Sequence, residues 1–128
     1  MILLDTHAWV WWATSSPNLS KNAVKAIRAA QTLYVSAISC WEVAMLAAKG
    51  RLVFDRDAEV WLDLALRFPG VELVPLSPRI AVRSSRLEEG FLGDPADCII
   101  VATALEHGCA IVSKDERIRS YPRVRVTW

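Results

Sequence analysis

Five acids stand where the chain could do chemistry. Asp5 closes the apolar run from Ile2 to Leu4, and Asp115 follows the run from Ala110 to Val112. Glu42 sits in the segment SAISCWEV, while Asp94 and Asp97 share the segment GDPADC. Each acid ends a strand-like stretch or opens a helix-like one. Carboxylates brought close together repel one another unless a cation lies among them. Hard oxygen donors of this kind suit Mg²⁺ or Mn²⁺. The chemistry to look for is therefore that of a divalent-metal site.

The elements that must position these acids can be read from periodicity. Ile2–Leu4 is short and apolar, as a buried strand is. A helix follows with Trp9, Trp11 and Trp12, ending before Pro17. Ser20 can cap a second helix with Val24, Ile27 and Ala30 inward. Leu33–Val35 reads as a strand, after which Ser39 opens a helix whose stripe is Trp41, Ala44, Met45 and Ala48, stopped at Gly50. Asp57–Phe68 is amphipathic, with Ala58, Trp61, Leu62 and Ala65 on one face. Val71–Leu76 is a strand interrupted by Pro75, and Ser77-Pro78 starts a helix. Asp94-Pro95 starts another, running to Gly108. Ala110–Val112 and an edge strand over Val124–Val126 complete the series. The alternation predicts an α/β fold: three α/β/α layers around a mainly parallel sheet of about five strands.

That topology gathers the acids. In a parallel sheet, strand C-termini and the N-termini of the following helices lie on one edge, where open α/β sheets bind ligands. Asp5 and Asp115 lie beyond strand ends, and Glu42 and Asp97 are expected in first helical turns. Each acid also has a structural reading. Ser39 and Glu42 have capping-box spacing. Asp94 before Pro95 is a good N-cap, and Asp97 in the first turn complements the helix dipole. Asp115 fits a loop or a cap. Asp5 alone has no evident structural duty. Capping explains several acids singly but not their common edge.

Composition bounds the function classes. A chain of 128 residues, 53% of them hydrophobic, is sized for one core, and a single domain over residues 1–128 is expected. A net charge of +1 marks no strongly basic surface, although a local groove can still be basic. No apolar stretch reaches the roughly 20 residues of a membrane span, and the start lacks a signal-peptide pattern. The three cysteines have no CxxC spacing and sit among apolar neighbours, so they read as reduced core residues. A cytoplasmic protein with no membrane association is expected.

The acids, together with LLDTHAWVWW, SAISCWEVAMLAAKGRL, GDPADCIIVATALEHG and AIVSKDERI, resemble the PIN-domain family, and within it the VapC-type toxins of bacterial toxin–antitoxin pairs. The likeness spans essentially the whole chain. It implies a metal-dependent endoribonuclease, a homodimer, and a cognate antitoxin protein encoded alongside. The family's acidic quartet falls on Asp5, Glu42, Asp97 and Asp115, which thereby become the catalytic and metal-ligating residues for Mg²⁺ or Mn²⁺. Such ions activate water and stabilise the leaving oxygen of an RNA phosphodiester. Asp94, Ser113 and Thr6 are placed in supporting positions. Many relatives carry arginine directly after the third acid, where this chain has Cys98.

Other residues have weaker claims. Lys49, Arg51 and Lys114 could meet phosphate, as could a stripe of Arg79, Arg83 and Arg86, but solvated side chains explain them as well. His7 beside Asp5 fits a helix start better than a ligand. Trp9, Trp11 and Trp12 cannot all face one core, so at least one is expected at a partner surface. A haloacid-dehalogenase-like site needs a second aspartate where His7 stands. A phospho-receiver needs an aspartate after a middle strand that has none. A non-catalytic metal- or RNA-binding module on the same fold is the remaining alternative.

Overall fold

Ile2–Leu4 (β1) lies at the centre of a five-stranded sheet, with all three residues buried. The computed structural model describes residues 1–91 and 93–128. Around β1 stand β2 (Leu33–Ser36), β3 (Val71–Val74), β4 (Ala110–Val112) and β5 (Val126–Thr127), in the order β3-β2-β1-β4-β5. Every pairing is parallel, where a mainly parallel sheet was expected. Leu3, for example, lies between Tyr34 on one side and Ile111 on the other. A central parallel strand is covered on both faces, which is why β1 is uniformly apolar rather than alternating.

The helices are α1 (Thr6–Ala13), α2 (Lys21–Ala29), α3 (Ala37–Ala48), α4 (Ala58–Leu66), α5 (Pro78–Ser84), α6 (Pro95–His107) and α7 (Glu116–Arg119). Strand pleating sends alternate residues to opposite faces. Leu4, Val35 and Val112 pack with Trp9, Ile27, Val43 and Trp61 on one side. Leu3 and Ile111 pack with Ile100, Val101, Ala104 and Ile118 on the other. Three layers result. The chain builds from β1 outward through β2 and β3, then returns to the other side of β1 for β4 and β5. The crevice where the order reverses lies between the C-terminal ends of β1 and β4, the place where open α/β sheets take ligands.

Several local expectations change. The α3 helix begins at Ala37 with Ser36 as its N-cap, its hydroxyl accepting from the Ile38 amide at 3.3 Å, so Ser39 is not the cap. The inward residues of α3 are Ser39 and Val43, whereas Trp41 is 57% exposed and Ala44 and Ala48 face solvent. This helix is apolar on nearly every side, so several i, i+3, i+4, i+7 stripes exist and periodicity could not choose among them. In α2 the buried residues are Ala23 and Ile27, with Val24 only half-buried. Strand β3 stops at Val74, before Pro75, which has no amide to donate. The edge strand β5 is Val126–Thr127, displaced from the expected Val124–Val126. The one-turn α7 was not anticipated, being too short for a period to register. The cysteines are free, Cys109 buried and Cys40 and Cys98 half-buried. Among the described residues, no helix is long and apolar enough to cross a membrane.

Candidate active site

Asp5 is placed by the end of β1. Its amide donates to Val112 O at 3.1 Å, continuing the parallel pairing, and its Oδ1 accepts from the Ala8 amide at 2.9 Å. It is therefore the N-cap of α1, a structural duty that the sequence did not reveal. The residue is 7% exposed, and burial pushes its pKa up, partly offset by hydrogen bonds from the Ser113 hydroxyl and the Ala8 amide. The same Ser113 hydroxyl accepts from the Asp115 amide at 3.0 Å. One fully buried serine thus ties the first acid to the last.

Glu42 lies in the second turn of α3, not the first, because the helix starts early. It makes no capping box with Ser39. Thr6 Oγ1 lies 2.5 Å from Glu42 Oε1 and 2.9 Å from the buried Ser39 hydroxyl. A threonine has a single hydroxyl proton, so Thr6 donates to the carboxylate and accepts from Ser39. Burial raises the Glu42 pKa; the Thr6 bond lowers it, and the charges of Asp94 and Asp5 raise it further.

Asp94 caps α6 as expected, its Oδ1 accepting from the Asp97 amide at 2.8 Å. Asp97 is left with its carboxyl among other acids. Burial and the charges of Asp94, Asp115 and Glu42 push its pKa up to about 7, against the pull of Arg117. Asp115 caps α7, its Oδ1 accepting from the amides of Arg117 at 2.8 Å and Ile118 at 3.3 Å. The guanidinium of Arg117 then stands 3.5 Å from Asp97 Oδ2 and 3.5 Å from Asp115 Oδ2. Arg117 is the cavity-lining residue that sequence reasoning missed. Its only signal was its place two residues after an acid that caps a turn.

These side chains line one cavity of about 540 Å³: Asp5, Thr6, His7, Trp11, Glu42, Asp94, Asp97, Lys114, Asp115 and Arg117. All the predicted site residues are brought together here, with Ser113 buried beneath the Asp5 carboxylate. Of the candidate phosphate contacts only Lys114 belongs. Lys49 and Arg51 are exposed and line no part of it, and Arg79 and Arg83 are spent on Glu106 at 2.7 and 2.8 Å. Cys98 turns its thiol to Gly93 O at 3.6 Å, so the guanidinium beside Asp97 comes from α7 instead.

The donor set fits a hard divalent cation. Five carboxylates face Lys114 and Arg117, and the rise at Asp97 reflects its burial first and then the repulsion of the neighbouring acids. Among the described residues no three His, Cys, Asp or Glu side chains close into a complete ligand set. Mg²⁺ keeps several waters and needs only one or two carboxylates directly, so an open arrangement suits it.

A family model for the PIN domain matches residues 2–124. The chain belongs to the PIN-domain family. This PIN domain is 40% identical over 129 residues to ribonuclease VapC22 of Mycobacterium tuberculosis, across 99% of this chain and 98% of that one. Its fold matches a toxin–antitoxin complex from Klebsiella pneumoniae with a TM-score of 0.70 and 25% identity, covering 97% of this chain and 95% of that chain. It also matches VapBC2 of Rickettsia felis, a structure bound to promoter DNA, with a TM-score of 0.72 and 18% identity. That match covers 98% of this chain and 97% of that one.

Proposed function

We propose that this PIN domain is a divalent-metal-dependent endoribonuclease acting as the toxin of a toxin–antitoxin pair. The observation that carries the reading is the convergence of acids from four separate elements on one cavity at the reversal point of the sheet. The curated relative named a ribonuclease and the folds named toxin–antitoxin complexes support the same conclusion.

A bound Mg²⁺ or Mn²⁺ would supply water activation and charge neutralisation at the phosphodiester. Asp5 and Asp97 would hold it directly, with Glu42 and Asp115 completing the donor set. Ser113 fixes the Asp5 carboxylate, and Thr6 fixes Glu42, so neither acid must reorganise during reaction. Lys114 and Arg117 bring positive charge to the RNA phosphate, the guanidinium in a geometry that a phosphate can accept. No histidine base is required, since carboxylates in the same cavity can take the proton of the attacking water. A cognate antitoxin, a homodimeric state and a cytoplasmic location complete the proposal, with residues 1–128 as the working domain.

The test is purified chain, freed of any co-expressed partner, incubated with RNA and Mg²⁺ or Mn²⁺. Cleavage that disappears with a chelator and in Asp5→Asn supports the reading. RNA binding without cleavage under both ions would leave the non-catalytic module in its place.

A further inference from the structure

We infer that Trp11 is a stacking platform for a nucleobase of the bound strand, set beside the acidic cavity with Lys114 as its phosphate partner. The inference rests on the RNA reading above and adds to it a subsite that selects for the base.

The three tryptophans of α1 go to three places. Trp9 is fully buried against Trp61, with ring centroids 5.5 Å apart. Trp12 packs edge-on against Phe68 at 5.4 Å. Trp11 alone turns to the cavity wall, half-buried. An indole bordering five carboxylates gains less from burial there than it would in a core, so packing does not account for it. Its plane is nonetheless fixed. His7, one turn earlier on the same helix face, lies 5.7 Å away, and Trp128 lies 5.8 Å away, both tilted at 51°. A ring held in place loses little freedom when a base stacks on it.

Charge then dictates how a nucleic acid strand approaches. The wall formed by α3 and α6 offers Glu42, Asp94 and Asp97, which repel phosphate. On the wall formed by α1 and the segment after β4, Lys114 and Arg117 offset Asp5 and Asp115, so this wall is nearly balanced where the other is wholly acidic. A polyanion following its favourable charges enters along the second wall, and that wall includes Trp11. Lys114 Nζ is 6.0 Å from the Trp11 ring centroid, at the outer reach of a cation–π contact. It stands over the ring face, and its long flexible stem lets a stacking base displace it toward that nucleotide's own phosphate. Stacking on aromatics is how proteins hold single-stranded bases, and it tolerates any sequence while favouring larger rings.

The experiment measures binding in an Asp5→Asn background, by fluorescence anisotropy with labelled 12-mers. One probe is oligoadenylate, and the other is a ribose-phosphate 12-mer without bases. The Asp5→Asn protein is expected to bind oligoadenylate about 10-fold more tightly than the abasic probe. Adding Trp11→Leu should erase that difference by weakening oligoadenylate alone, and Trp11→Phe should retain most of it. Adding Lys114→Ala should weaken both probes equally. If Trp11→Leu weakens both probes alike, or neither, the platform is overturned while the RNA reading stands. If neither probe binds the Asp5→Asn protein at all, the RNA reading falls and the platform with it. Trp11→Phe keeps an aromatic face at the same place, so a loss of fold in the leucine variant does not remove the test.

Discussion

The site has two halves built by different means. Asp5, Ser113 and Asp115 hang from the ends of neighbouring strands and are joined by one buried hydroxyl and by backbone amides. Glu42, Asp94 and Asp97 ride on two helices, and their positions depend on helix register and on a single threonine bond. The strand half is fixed by pairing geometry. In the helix half, burial first and then the charges of neighbouring acids push the Asp97 pKa up to about 7. One half is a frame, and the other is where the proposed cation would have the most repulsion to relieve.

The largest effect should come from removing an acid in either half. Asp5→Asn and Asp97→Asn are each expected to lower RNA cleavage by more than about 100-fold, since even partners outside a ligand set often cost 10- to 100-fold. The two variants should part company in stability, read by thermal unfolding without metal. Asp97→Asn relieves the burial of a charge and its repulsion and should stabilise above pH 7. Asp5→Asn still caps α1 but weakens the charge-assisted bonds from the Ser113 hydroxyl and the Ala8 amide, and should gain less.

Next comes pH. The folded-state pKa of Asp97, about 7, lies above its ordinary 3.8. The folded state therefore binds the proton more tightly, and this contribution is full below about pH 4 and lost as pH rises through 7. Metal-free protein should lose stability on the order of a few kcal/mol between pH 5 and 8 from this group. Mn²⁺ should raise the unfolding temperature more at pH 8 than at pH 5. A wild-type profile no steeper than that of Asp97→Asn would break the contrast between the halves.

Smaller effects separate the supports. Ser113→Ala leaves the Asp5 carboxylate and the Asp115 amide each short of a bond, costing about 1–3 kcal/mol in denaturant unfolding. Thr6→Val should cost less stability, because Glu42 is nearer solvent, yet lower cleavage about 10-fold or more. Smallest of all, Arg117→Ala should change stability by less than about 1 kcal/mol, since its side chain is 54% exposed. Its expected mark is tighter metal binding, measured by calorimetry, together with weaker binding of RNA.

The strand half was largely legible in the sequence. An apolar run ending in Asp5 and another leading to Asp115 fix both position and edge, because strand direction dictates where a residue just past the end must lie. The Asp94-Pro95 start was equally readable. What could not be read was rotation and small structure. Two serines, Ser36 and Ser39, could each cap α3, and an almost wholly apolar helix gave no preferred face, so Trp41 was turned inward in expectation and outward in the fold. The Thr6–Glu42 bond spans 36 residues and leaves no local trace. Arg117 sits on a four-residue helix with no period to detect.

The strand order has a consequence for a chain made from one end. Strand β4 is the direct neighbour of β1, yet it is synthesised after β2, β3 and six of the helices. Until residues 110–115 emerge, Leu3 lacks its Ile111 neighbour, Asp5 lacks Ser113, and Asp115 does not exist. A nascent chain on its ribosome therefore carries β1 to β3 and six helices without the complete proposed site. The proposed site is completed late and all at once, when residues 110–115 join β1.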